Sequence, residues 1–134
     1  MADDRPAPLL LDTHLLLWAA FEPDRLSPTA CLMLQSRAAP LHFSLATIWE
    51  VAIKTSLGRA DFSVDPGPFH RALLGEGFVE LPIKAQHLVH VGTLPWIHRD
   101  PFDRLLVAQA LVEGMTLLTA DATLKRYGSF VTVV

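Results

Sequence analysis

The chain has 134 residues, 51% of them apolar and 19% charged, with a net charge of −3. That length is one domain with a real core, and the composition excludes a disordered chain. It also excludes a protein that holds nucleic acid through bulk positive charge, so any such contact has to be local or bridged by a cation. Cys31 is the single cysteine, which excludes an intrachain disulfide and a cysteine-based zinc site. No apolar run reaches the ~18 residues of a membrane helix. The amino terminus lacks a basic segment followed by an apolar one, so no signal peptide is expected and the location is read as cytoplasmic.

In chain order, Pro8 to Leu11 reads as a buried strand ending at Asp12. A helix follows from His14 to about Ala20, interrupted at Pro23. Ser27-Pro28 opens a second helix to about Ala38. Leu41 to Ser44 is a strand, and Thr47 to Leu57 a helix stopped by Gly58. The stretch 61–68 reads as a loop before a short helix from Phe69 to Leu74. Phe78 to Leu81 is a strand and Lys84 to Val91 a helix. After a loop at 94–99, Asp100-Pro101 opens a strong helix that runs to Glu113 and closes at Gly114. Thr116 to Thr119 is a strand, Asp121 starts a short helix to Tyr127, and Phe130 to Val134 is a last strand. Short apolar strands alternating with helices imply one α/β domain over residues 1–134, with a parallel sheet covered on both faces. In such sheets ligands bind beyond the carboxyl ends of the strands.

Four carboxylates fall near that edge. Asp12 and Asp121 follow strands, and each has a competing role as a helix cap. Asp103 lies in the first turn of an almost wholly apolar helix, where an unpaired buried carboxylate is costly and a cation removes the cost. Glu50 shares the narrow polar stripe of its helix with Lys54, and an exposed i, i+4 ion pair is the competing reading. Asp100 reads first as the cap of the helix it precedes. Clustered carboxylates repel one another. An all-oxygen set without cysteine or paired histidine calls for Mg²⁺ or Mn²⁺. Such an ion activates water and stabilises charge on a phosphate. His98 and Arg99, with Arg104, Lys125 and Arg126, form an expected basic rim for a polyanion, and surface solvation is the competing reading of each. His87 and His90 are spaced as a metal pair, though capping or solvent-facing histidines are the preferred reading. Thr13 and Ser44 are candidates for orienting ligands or water.

The segments LLLDTH (9–14), SLATIWEVAIK (44–54), HRDPFDRLLVAQA (98–110) and LLTAD (117–121) occur in this order and cover much of the chain. Together they resemble the PIN-domain ribonucleases, in particular the VapC-like toxins of toxin–antitoxin pairs. The resemblance implies a three-layer α/β/α sandwich around a mostly parallel sheet of four to five strands. It places metal-binding acids at Asp12, Glu50, Asp103 and Asp121, with Asp100 beside them. It further implies a metal-dependent endoribonuclease, usually a homodimer, silenced by a small antitoxin. In the expected mechanism Asp12, Glu50 and Asp103 hold Mg²⁺ and Asp121 binds through water or serves a second ion. Water activated there attacks an RNA phosphodiester. Thr13, Lys54, His98, Arg99 and Arg104 are the expected substrate contacts. A housekeeping nuclease without an antitoxin is the alternative. A haloacid-dehalogenase-type phosphotransferase fits less well, because His14 stands where that family has a second Asp. A receiver-like domain lacks its lysine until Lys125.

Overall fold

In a computed structural model, which describes residues 6–59 and 62–134, five strands form one fully parallel sheet. The strands are β1 (Leu9–Leu11), β2 (Leu41–Ser44), β3 (Val79–Leu81), β4 (Thr116–Thr119) and β5 (Val131–Val133). Their spatial order is β3-β2-β1-β4-β5, so the chain builds outward from β1 in one direction and then returns to build in the other. The reversal lies between β1 and β4, and the crevice at such a reversal is where open α/β sheets bind ligands. Leu11 pairs with Leu118, which sets the loops after β1 and β4 side by side.

Among the described residues six α-helices cover the sheet: α1 (Thr13–Phe21), α2 (Pro28–Ser36), α3 (Leu45–Ser56), α4 (Pro66–Gly75), α5 (Ala85–Val91) and α6 (Pro101–Glu113). Because strand side chains alternate, the central strands β1 and β4 feed two cores. Leu10 and Leu117 face a core built with Leu106, Ala110 and Leu124. Leu9, Leu11 and Leu118 face the opposite core, with Leu15, Leu16, Phe43 and Val51. Two cores on two faces make the three-layer sandwich expected from the sequence.

The helix starts follow local chemistry. Asp12, Ser27, Ser44, Asp65 and Asp100 each accept a backbone N–H of the first turn of the helix they precede. Gly114 ends α6 at φ 67°, a conformation that costs other residues energy. Several boundaries differ by one or two residues from expectation, and two elements differ more. Helix α4 begins at Pro66, inside the stretch read as a loop, because proline lacks only an N–H that a first turn leaves unpaired. The reading of Asp61 and of the first five residues lies outside the described residues. The segment after Asp121 is a 3-10 helix, Ala122–Tyr127. Among the described residues no helix is long and apolar enough to cross a membrane.

Candidate metal centre

Asp12 leaves the end of β1 almost fully buried. Its Oδ1 accepts the Leu15 N–H at 2.9 Å and its Oδ2 accepts the Thr119 hydroxyl from the end of β4. Burial nevertheless raises its pKa above the usual carboxylate value, against these hydrogen bonds and the nearby His14. The cap reading of Asp12 is therefore correct, and its carboxylate retains unused lone pairs, since each oxygen carries two.

Glu50 sits on α3 at 2% exposure, so it is no surface ion pair. Its Oε2 takes the Lys54 ammonium at 2.5 Å. Its Oε1 is buried with no partner. An unpaired carboxylate oxygen in a protein interior costs several kcal/mol in the absence of a cation, on the order of a lost charged hydrogen bond or more.

Asp103 projects from the first turn of α6. Its pKa is pushed up to about 7, first by burial and then by the charges of Asp100, Asp12 and Glu50, with His98 working the other way. The repelling carboxylates are Asp100 at the start of α6, Asp12 after β1 and Glu50 on α3, so these three elements bring acids toward one crevice. Asp103 also belongs to a second group. The ligand atoms of His98, Asp103 and Asp121 lie within 4.8 Å of one another. His98 Nε2 is 3.0 Å from Asp121 Oδ2 and 3.6 Å from Asp103 Oδ2. For Asp121, burial works upward, but hydrogen bonds from Thr123 and His98 outweigh it and leave the group below its usual value. Asp121 therefore stands at the His98 side of the crevice. Oxygen-rich donors with one orphaned buried oxygen fit a hard divalent cation.

Asp100 is the α6 cap: its Oδ1 accepts the N–H groups of Phe102 at 2.8 Å and Asp103 at 3.3 Å. Asn caps as well as Asp, whereas Ala does not. Asp100→Ala is therefore expected to melt below Asp100→Asn by about 1 kcal/mol, measured by paired denaturant titrations. The comparison removes the charge from both variants and isolates the cap.

Several expected substrate contacts lie elsewhere. Arg104 is a correction: it is buried, and its guanidinium donates to the carbonyls of Val91, Leu94 and Pro95 and to the Tyr127 hydroxyl. Its outer face lies 4.0 Å from the centroid of the exposed Trp96 ring. Desolvating a guanidinium costs several kcal/mol, and these acceptors offset it, so Arg104 fixes the 91–95 loop instead of meeting a phosphate. Lys125 likewise donates to the Val131 carbonyl. His98 is turned inward, because the Asp100 N–H donates to its Nδ1 and leaves Nε2 to the acids. Arg99 remains exposed beside it. Ser44 caps α3 and donates to Gln109 of α6 at 2.5 Å, which ties the helices bearing Glu50 and Asp103 together. Thr13 shares a 2.9 Å hydrogen bond with Thr47 of α3. His87 is fully buried between the Lys84 N–H and Glu113, a capping histidine and not half of a metal pair. Two supports were missed in the sequence. Thr119 was visible only as the last residue of a strand, and Gln109 as a polar break in an apolar helix.

The sequence matches the PIN domain family over residues 9–129, a span that includes Asp12, Glu50, Asp103 and Asp121. Among solved structures, one of VapBC2 from Rickettsia felis bound to a DNA fragment from their promoter is similar in fold. The TM-score is 0.67 at 18% identity, over 94% of this chain and 96% of that one. No curated protein matches. With the family match running nearly end to end, and the sheet order and acid crevice in place, the chain belongs to the PIN domain family.

Proposed function

We propose that the protein is a divalent-metal-dependent endoribonuclease and the toxin of a toxin–antitoxin pair. PIN domains are nucleases, and the observation that carries the metal dependence is the buried, partnerless Oε1 of Glu50 among repelling carboxylates. Asp12, Glu50 and Asp103 would hold Mg²⁺ or Mn²⁺, and Asp121 would complete the set from the His98 side. Such an ion supplies Lewis acidity at a phosphate oxygen and lowers the pKa of water. The chain's own residues supply rigidity. Thr119 and the Leu15 N–H fix Asp12, the Ser44–Gln109 bond fixes α3 against α6, and Asp100 and His98 orient the start of α6 and Asp121. Lys54, hydrogen-bonded to Glu50, and the exposed Arg99 are the candidate contacts for the RNA backbone.

The test is incubation of pooled RNA with the purified protein, with Mg²⁺ or with a chelator. Cleavage that needs the ion supports the proposal. Intact RNA under both conditions, from folded protein, refutes it.

The toxin half of the proposal draws on the resemblance to VapC-like chains and on a large apolar groove. The groove, about 660 Å³, lies between α1, α2 and α4 and is lined by Leu16, Phe21, Leu34, Phe69, Leu73 and Phe78. An amphipathic segment of an antitoxin would seat its apolar side chains there. Trp49, packed edge-on to Phe102 at 4.9 Å, and Trp96 are exposed but stand apart from this groove. Co-expression with the neighbouring small reading frame is expected to yield an inactive complex that regains cleavage after the partner is proteolysed. A chain that purifies alone, spares its host and cleaves RNA freely would leave a housekeeping nuclease as the better account. A homodimer is part of the same proposal, checked by light scattering.

A further inference from the structure

A second cleft, of about 450 Å³, opens between α1 and α3. Glu50 and Thr13 form part of its wall, so it is continuous with the acid crevice. Trp18 and Phe62 add flat apolar surface, and His14 and Lys54 add nitrogen donors. The Trp18 ring is held in place: the Arg25 guanidinium lies 4.6 Å from its centroid and the His14 ring 6.2 Å away. Arg25 in turn pairs with Glu22 at 3.0 Å, which neutralises the nearest acid on the rim. Trp18, Phe62, His14 and Arg25 have no role in the metal centre described above.

We propose that this cleft receives the nucleotide next to the bond that is cut, its base against Trp18 and its phosphate toward Lys54 and His14, and so sets base preference. The proposal rests on the nuclease reading above. Three features favour a nucleotide. The volume lies within the range of about 300–1,000 Å³ found for small-ligand sites. An aromatic face beside cationic donors is the chemistry that binds single-stranded nucleic acid, where stacking accepts a base and cations track the backbone. The cleft also shares Glu50 with the acid crevice, so its occupant lies within a nucleotide's reach of the reacting phosphate. A docked protein segment has the larger and more apolar groove beside it.

The test maps cleavage sites in pooled RNA and measures kinetics on one cleaved oligonucleotide, for wild type, Trp18→Ala, Trp18→Phe and His14→Ala. Trp18→Ala is expected to raise KM roughly tenfold with kcat within about twofold, the size of one lost stacking contact. It should also flatten base preference at one position beside the cut, and Trp18→Phe should restore most of both. His14→Ala should raise KM with the base profile intact. An unchanged KM and profile in a Trp18→Ala protein that melts like wild type overturns the proposal. Should Trp18→Ala melt lower, Trp18→Phe and the exposed His14→Ala decide: no change in either is equally fatal. Wild-type cleavage combined with escape from a co-expressed inhibitor would assign the cleft to a protein instead. If wild type cuts no RNA, the nuclease reading fails by itself. Fluorescence anisotropy with a 2′-O-methyl oligonucleotide then tests the cleft alone: weaker binding by Trp18→Ala sustains it, and equal affinity overturns it.

Discussion

Asp103→Asn is expected to abolish measurable RNA cleavage while making the metal-free protein more stable. Asp103 links two sets of groups: it feels the charges of Asp12 and Glu50, and its ligand atom lies within 4.8 Å of those of His98 and Asp121. Loss of an outer partner of a metal ligand costs roughly 10–100-fold in affinity or activity, so loss of a shared ligand should exceed about 100-fold. Stability moves the other way. At neutral pH the carboxylate is held against burial and three like charges, with its pKa at about 7. Removing that charge relieves on the order of 4 kcal/mol at most, from a domain stability of about 5–15 kcal/mol. A rise in Tm without metal, of up to roughly 15 °C, is the expected readout, measured beside the cleavage rate. A variant that is both inactive and less stable would mean that Asp103 is a structural residue.

Metal-free stability is expected to fall as pH rises from about 4 to about 7, opposite to the trend set by most carboxylates. An acid whose pKa is higher in the fold than in the unfolded chain binds its proton more tightly when folded. Its stabilisation is complete at low pH and is lost as pH passes through the folded value. Asp103, raised to about 7, and Asp12, raised by burial, both act in this direction. Asp121 and Glu113 have lowered values, so their contribution is lost only as pH falls below the usual carboxylate range. Millimolar Mg²⁺ or Mn²⁺ should cancel the decline, since a ligand that binds only the folded state stabilises it and competes with the proton. The upward shift in Tm should therefore be small near pH 5 and largest above pH 7. Asp12→Asn should abolish it. A shift of equal size at pH 5 and pH 8 would show that the ion binds somewhere other than these acids.

Much of this was legible before any coordinates, for identifiable reasons. Strands β2 and β4 lie where short apolar runs between turn residues put them, and α6 runs from its Asp-Pro start to its glycine stop. These signals are local, so they survive folding unchanged. The expectation that the acids converge rests on strand ends in a parallel sheet sharing one edge, which is a property of topology and needs no side-chain detail. What stayed hidden depends on tertiary partners. Arg104 reads as a surface cation until the unpaired carbonyls at 91, 94 and 95 are known to face it. His98 reads as a phosphate contact until the Asp100 N–H is seen to turn its ring inward. Ser44 reads as a site residue, yet Gln109, 65 positions away, claims its hydroxyl. The start of α4 was missed because Pro66 and Pro68 are as much at home in a first turn as in a loop.

The central claim, that this crevice is built for a hard divalent cation, is tested most directly by calorimetric titration of Mn²⁺ into the protein at pH 7.5. Wild type and Glu50→Gln are compared, because among the described residues Glu50 alone offers a buried oxygen with no partner. Saturable binding by wild type, weakened at least tenfold in a folded Glu50→Gln protein, is the expected result. Identical isotherms for the two, or no binding by either, would contradict the account.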